Sequence, residues 1–160
     1  MNEIFVDSGI LIHLFDCLDK SSTGYTHKGI KKYYDKLLSE GNKFISTNFV
    51  ISETFNRITN LVNKDRVYAS DDVLAFHETI KKNVSISTLD NSIIIESLHI
   101  WEQNKDYKYS FIDASIFAFL EKYGFIPIFT IDFNITLYHY KKGYKIERVP
   151  FIDIFNCPKW

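Results

Sequence analysis

Short apolar segments alternate along the chain with longer segments of helical periodicity, and this alternation constrains the fold more than any other feature. The apolar segments are typical of buried strands and lie at 4–6, 43–46, 84–87 and 127–131. Hydrophobic residues recur at helical spacing in 10–18, 26–39, 48–62, 70–82, 89–102 and 111–123. Strands that alternate with helices form βαβ units with a parallel sheet. We therefore predict an α/β fold with three α/β/α layers around a central, mainly parallel sheet of four to five strands.

The length of 160 residues, 46% of them hydrophobic, suits one domain with a substantial core. We assign this domain to residues 1–150, with a short helix near 133–140 and a last extended segment near 144–149. The tail, residues 151–160, begins with the apolar run Phe151-Ile152-Asp153-Ile154-Phe155. A run of this kind is costly to leave in water, so we expect it to pack on the domain or on a partner subunit.

Charge and composition narrow the class of protein. The net charge of −1 provides no overall attraction to nucleic acid, so a polyanion would have to bind through local patches or bound cations. No apolar run reaches the roughly 18–20 residues that span a bilayer, and no signal peptide opens the sequence. The two cysteines lack metal-ligand spacing, which fits a reducing cytosol. These features predict a cytoplasmic protein without membrane attachment.

Four acidic residues occupy related positions at the ends of the predicted elements. Asp7 and Asp132 follow the first and last predicted strands, where the chain turns into a helix. Glu53 and Asp113 lie near the starts of two apolar helices. Because parallel α/β sheets bind their ligands at the carboxyl ends of the strands, we expect all four side chains to lie at one edge of the sheet.

Each acid also has an ordinary structural interpretation, which the sequence leaves open. The two strand-end aspartates can cap the helices that follow them. Asp113 comes three residues after Ser110, the spacing of a capping box. Glu53 can form an ion pair with Arg57, one helical turn along the chain.

Taken together, the four acids predict a metal site. Carboxylates held close together repel one another and raise one another's pKa values, and divalent cations remove this conflict. Oxygen ligands suit Mg²⁺ or Mn²⁺, and one or two such ions can support hydrolysis of a phosphodiester. Motifs for other chemistries are missing: the sequence contains no Gly-x-Ser-x-Gly, no phosphate-binding P-loop and no Gly-x-Gly-x-x-Gly.

The four acids and their local sequences resemble the acidic quartet of the PIN-domain nucleases, over roughly residues 3–148. The matching positions are Asp7, Glu53 in Ile51-Ser52-Glu53, Asp113 in Phe111-Ile112-Asp113-Ala114, and Asp132 in Thr130-Ile131-Asp132-Phe133. Their order and their spacings of 46, 60 and 19 residues fit the family. The resemblance implies an endoribonuclease in which these acids bind Mg²⁺ or Mn²⁺ and water attacks the phosphorus without a covalent intermediate. It also implies supporting roles for Ser8 and Thr130.

The resemblance implies partners as well as chemistry. Many small members of the family are toxins of VapC-like toxin–antitoxin pairs, so it implies an RNA substrate, a small antitoxin protein and a homodimer. The alternative from another class is a non-catalytic RNA- or protein-binding module with a PIN-like fold. Retention of all four acids argues against that alternative.

Candidate substrate contacts lie in the polar segment 103–110, which leads directly to Asp113. Lys105 and Lys108 can pair with phosphate, and Tyr107 can stack on an unpaired base. Arg57 is a candidate phosphate contact, and its pairing with Glu53 is equally compatible with the sequence.

Overall fold

The computed structural model describes residues 3–16, 25–65, 70–104, 109–124, 126–132 and 135. The strands are β1 (Glu3–Val6), β2 (Lys43–Thr47), β3 (Val84–Ser87) and β4 (Ile128–Phe129). The helices are α1 (Ser8–Asp16), α2 (Tyr25–Ser39), α3 (Asn48–Asp65), α4 (Ser70–Asn83), α5 (Asn91–Gln103) and α6 (Phe111–Tyr123).

The strands described form a single parallel sheet in the order β3-β2-β1-β4. In the centre of the sheet, Phe5 of β1 pairs with Ile45 of β2 and with Ile128 of β4. The predicted α/β class, its three α/β/α layers and its parallel sheet are confirmed. The order places the end of β1, the site of Asp7, between the ends of β2 and β4.

Aromatic side chains fill the space between the sheet and the helices. Tyr34 of α2 stacks on Phe44 of β2 with ring centroids 4.5 Å apart. The ring centroid of Phe44 also lies 6.4 Å from that of Phe129, and the ring centroid of Phe5 lies 5.6 Å from that of Phe119 of α6. Buried rings of this size contribute large apolar areas, so the layers are held together by packing on both sides of β1.

Several element boundaries differ from the predicted ones for identifiable reasons. We predicted that the fifth helix begins at Leu89, but α5 begins at Asn91 because the Asp90 side chain caps it, accepting a hydrogen bond from Ile93 N at 3.0 Å. The last strand was predicted over 127–131, whereas β4 has only the two residues Ile128–Phe129. Gly124, at φ 91°, ends α6 in the left-handed conformation, as the sequence predicts.

Some predictions fall outside the part of the chain that the structure describes. These are the helix near 133–140 apart from Ile135, the extended segment near 144–149 and the tail 151–160. Within the described ranges, no helix is both long and apolar enough to cross a membrane.

Candidate active site

The carboxyl ends of β1 and β4 lie side by side and bring Asp7 next to Thr130. Val6 and Phe129, the residues that precede them, are paired in the sheet. The Thr130 hydroxyl donates a hydrogen bond to Asp7 Oδ2 at 2.9 Å. The backbone N–H of Ser8 donates to Asp7 Oδ1 at 2.6 Å. Both carboxylate oxygens of Asp7 are therefore fixed, and Ser8 contributes through its backbone.

Burial makes Asp7 a weaker acid than an exposed aspartate. The residue is only 5% exposed, and this burial raises the pKa of Asp7 from 3.8 to about 6. The hydrogen bonds from Thr130 and Ser8 act in the opposite direction, because they stabilise the charged form. The negative charges of Asp113 and Glu53 raise the pKa further. Asp7 thus lies within electrostatic range of two of the other acids.

Asp113 belongs to the same cluster and also caps its helix. Its backbone N–H donates to Ser110 Oγ at 3.0 Å, and its Oδ2 accepts from Ser110 N at 2.7 Å, which is the predicted capping box. Burial raises the pKa of Asp113, the bonds to Ser110 lower it, and the charges of Asp132 and Glu53 raise it. The structural interpretation of Asp113 is therefore confirmed, and its role as a metal ligand stays a prediction.

The Thr130 hydroxyl connects the backbone of Asp132 to the carboxylate of Asp7. The backbone N–H of Asp132 donates to Thr130 Oγ1 at 2.9 Å, while the same hydroxyl donates to Asp7. Thr130 is fully buried and joins two acids that are 125 positions apart in the sequence. Its predicted supporting position is consistent with these contacts.

Glu53 approaches the cluster from α3 and is paired with a cation. Arg57 Nη2 lies 2.7 Å from Glu53 Oε1, so the ion pair that the sequence allowed is present. The Glu53 side chain is 18% exposed and that of Arg57 is 58% exposed. Contact of Arg57 with a phosphate stays a prediction.

We call Asp7, Glu53, Asp113 and Asp132 the acidic cluster, because their charges act on one another across the ends of β1, β4, α3 and α6. Carboxylate and hydroxyl oxygens are the donors that Mg²⁺ and Mn²⁺ prefer, so the donor set fits such an ion. Among the described residues, however, no three His, Cys, Asp or Glu side chains are arranged to hold one metal ion. In this conformation Glu53 binds Arg57, and Asp113 binds the backbone of Ser110.

The structure adds residues that the sequence did not single out. Ser46, at the end of β2, donates a hydrogen bond to Val6 O at 3.0 Å and so joins β2 to β1 next to Asp7. The rings of Phe49 and Phe111 lie 6.1 Å apart and join the first turns of α3 and α6. A hydroxyl at the end of a predicted strand was a signal for Ser46. The contact between the two rings required the fold.

Three predicted substrate contacts cannot be placed in the site. Lys105, Tyr107 and Lys108 lie outside the described residues. The segment that contains them joins the end of α5 to the start of α6, next to Asp113. Trp101 Nε1 of α5 donates to Tyr109 O at 3.2 Å, which joins α5 to the residues that precede α6.

Comparison of this chain with known proteins finds similar solved structures but no match to a family model or to a curated protein sequence. Its fold is similar to that of VapC20 from Mycobacterium tuberculosis, a toxin that cleaves the sarcin–ricin loop. This likeness has a TM-score of 0.62 at 20% identity and covers 84% of this chain and 94% of VapC20.

A second solved structure has a similar fold. PAE2754 from Pyrobaculum aerophilum gives a TM-score of 0.50 at 18% identity, over 84% of this chain and 82% of that protein. Together the two likenesses show that the chain has a PIN-like fold, which confirms the fold that the resemblance in sequence predicts.

Proposed function

We propose that this chain is a metal-dependent endoribonuclease that hydrolyses RNA phosphodiester bonds, and that it is the toxin of a VapC-like toxin–antitoxin pair. The observation that carries the proposal is that four carboxylates lie within electrostatic range of one or more of the others near the carboxyl ends of parallel strands. The PIN-like fold, shared with a toxin that cleaves RNA, supports the same assignment.

In this proposal the acidic cluster would hold one or two Mg²⁺ or Mn²⁺ ions. A bound ion of this kind makes water a better nucleophile and stabilises negative charge on the leaving oxygen. Asp7 is held by Thr130 and by Ser8 N, so its carboxylate is already oriented in the free protein. Its burial keeps solvent away from one side of the site, which strengthens electrostatic interactions there.

The remaining parts of the proposal concern binding partners and location. Lys105, Tyr107, Lys108 and Arg57 would contact the RNA next to the acidic cluster. A small antitoxin would inhibit the enzyme, and the active form would be a homodimer. We place the reaction in the cytoplasm, away from membranes.

The test is cleavage of labelled RNA in Mn²⁺ or Mg²⁺ by the wild type and by the Asp7→Asn and Asp113→Asn variants. Each substitution removes a negative charge from the cluster with little change in shape. We expect either one to slow cleavage by about 10²–10³-fold, the range for loss of one charge-stabilising group.

Two controls test whether the effect on cleavage is specific to the acidic cluster and whether cleavage depends on divalent ions. Asp35→Asn removes an exposed carboxylate that pairs with Lys31 on α2 and should leave cleavage unchanged. Chelation of divalent ions with EDTA should abolish cleavage by the wild type, and Mn²⁺ should restore it. Cleavage that is unaffected by both Asp7→Asn and Asp113→Asn would exclude the catalytic assignment.

A non-catalytic RNA- or protein-binding module is the second candidate function. It is favoured by one observation: within the described residues, no three acids are arranged around a common ion. Binding of RNA without cleavage, in every divalent ion tried, would favour this candidate.

A further inference from the structure

Arg57 and Glu53 form an asymmetric ion pair at the edge of the acidic cluster. They lie one turn apart on α3, with Arg57 Nη2 at 2.7 Å from Glu53 Oε1. The carboxylate is mostly buried at 18% exposure, whereas the guanidinium is 58% exposed. Arg57 therefore contacts the cluster from the solvent side, where an incoming ligand can reach it.

The negative charges around Glu53 favour its pairing with Arg57. The charge of Glu53 acts on both Asp7 and Asp113, so three carboxylates repel one another at this place. A guanidinium on Glu53 offsets part of this repulsion. It also occupies an oxygen of a carboxylate that a shared metal ion would need.

We propose that Arg57 is a positioning residue: it holds Glu53 in the metal-free protein and releases it when an RNA phosphate takes the place of the carboxylate. RNA binding and metal binding at the cluster are then coupled. This inference rests on the proposed function and adds a regulatory step to the same site.

The chemistry of the guanidinium permits this exchange. Its planar array of donors binds a phosphate in the same paired geometry as a carboxylate. An ion pair whose cation is largely in water is weak, so a phosphate can displace the carboxylate. By thermodynamic linkage, the factor by which bound RNA raises the affinity for metal equals the factor by which bound metal raises the affinity for RNA.

The first experiment measures Mn²⁺ affinity by calorimetric titration without RNA. Arg57→Gln removes the competing cation at an exposed position, so the fold should be retained, and circular dichroism can verify this. We expect Arg57→Gln to bind Mn²⁺ about two- to fivefold more tightly than the wild type, the range for loss of an exposed ion pair. Arg57→Lys, which keeps the charge, should stay closer to the wild type.

A matched control tests whether the effect is local. Lys81→Gln removes an exposed charge that pairs with Glu78 on α4 at 3.2 Å, so it changes the net charge by the same amount. It should leave Mn²⁺ affinity unchanged. An equal gain in Lys81→Gln and Arg57→Gln would overturn the proposal, because the effect would then come from net charge alone.

The second experiment measures the coupling. A fluorescent single-stranded RNA with phosphorothioate linkages, which resist hydrolysis, is titrated with protein in EDTA and in Mn²⁺. The gain in RNA affinity on adding Mn²⁺ should be larger for the wild type than for Arg57→Gln, by the same factor that separates their Mn²⁺ affinities.

The outcomes distinguish this proposal from the proposed function. If the wild type binds Mn²⁺, Asp7→Asn does not, and Arg57→Gln binds no more tightly than the wild type, only the role of Arg57 is wrong. If neither the wild type nor any variant binds Mn²⁺, both proposals are wrong.

Discussion

At the scale of single residues, Asp7 lies in an environment that disfavours its charged form. Its carboxylate is buried and is surrounded by the charges of Asp113 and Glu53, with hydrogen bonds from Thr130 and Ser8 as partial compensation. A buried acid of this kind destabilises the folded protein when it is ionised. The proposed role in binding a cation gives such a residue a use that its effect on stability does not.

The raised pKa of Asp7 predicts that the stability of the folded protein depends on pH. The pKa of Asp7 is 3.8 in its ordinary state and about 6 in the folded protein, so the folded form binds the proton more tightly. The contribution of Asp7 to the free energy of unfolding is fully present below pH 3.8 and is lost as the pH rises through 6. By pH 7 the loss is about 3 kcal/mol at 1.36 kcal/mol per pKa unit.

Urea unfolding of the wild type and of Asp7→Asn, without metal, between pH 3.5 and 7.5, measures this effect. The difference in unfolding free energy should change in favour of Asp7→Asn as the pH rises and then level off above about pH 7. A difference that does not vary with pH would show that Asp7 titrates normally.

Thr130 provides a second prediction, because its hydroxyl serves both Asp7 and the backbone of Asp132. Thr130→Val has nearly the same shape but leaves a buried carboxylate oxygen and a backbone N–H without this partner. We expect a loss of about 1–3 kcal/mol in unfolding free energy, together with a further rise in the pKa of Asp7.

Thr59→Val is the matched control for this substitution. The Thr59 hydroxyl is exposed and bonds to Phe55 O within its own helix at 2.8 Å. Its replacement should change the unfolding free energy by less than about 0.5 kcal/mol. Equal effects of the two substitutions would mean that the Thr130 hydroxyl does not support the site.

At the scale of elements, the first turn of α6 contains both a helix cap and a member of the acidic cluster. Ser110 and Asp113 cap the helix reciprocally, and the same turn delivers Asp113 to the acidic cluster. Ser110→Ala removes the hydroxyl and keeps the carboxylate. It should cost about 0.5–2 kcal/mol of unfolding free energy and leave Mn²⁺ binding intact, whereas Asp113→Asn should weaken Mn²⁺ binding.

Asp90→Ala is a suitable comparison, since it removes the N-cap of α5, together with the ion pair between Asp90 and Lys122 of α6, and leaves the four acids of the cluster in place. Asp90→Ala should lose at least as much stability as Ser110→Ala, and both variants should bind Mn²⁺ like the wild type. Loss of Mn²⁺ binding in Ser110→Ala, at a temperature where the variant is folded, would show that the cap and the ligand role of Asp113 cannot be separated.

The elements themselves were largely predictable because their signals are local. Apolar runs such as Ile4–Val6 marked the strands, and Gly124 marked the end of α6. The start of α5 was misplaced because Leu89 is apolar and resembles a helical residue, although it packs in the core before the cap at Asp90. The short β4 was overestimated because an apolar run shows burial but does not show where strand pairing ends.

The site was predictable only in part, because its contacts join distant segments. Spacing identified the four acids, but the bond from Thr130 to Asp7 spans 123 residues and depends on β4 lying next to β1. The sequence allowed two partners for Arg57, a phosphate and Glu53. Side-chain positions, which no periodicity encodes, show the pair with Glu53, and the contact with phosphate stays a prediction.

At the scale of the whole molecule, the PIN-like architecture explains why the acids meet. Parallel strands β1 and β4 end at the same edge of the sheet, α3 begins directly after β2 at that edge, and the start of α6 packs against the start of α3. Four segments that are far apart in the sequence thus contribute one carboxylate each. An ion bound by all of them would fasten these segments together and stabilise the folded state.

The most direct measurement is therefore the gain in unfolding free energy on adding Mn²⁺, for the wild type and for single substitutions in the acidic cluster: Asp7→Asn, Glu53→Gln, Asp113→Asn and Asp132→Asn. At 100 times the dissociation constant, a bound ion should stabilise the wild type by about 2.7 kcal/mol. Each substitution should remove most of this gain, because the proposed site uses all four side chains. A variant that keeps the full gain would place its side chain outside the shared site and contradict the assignment.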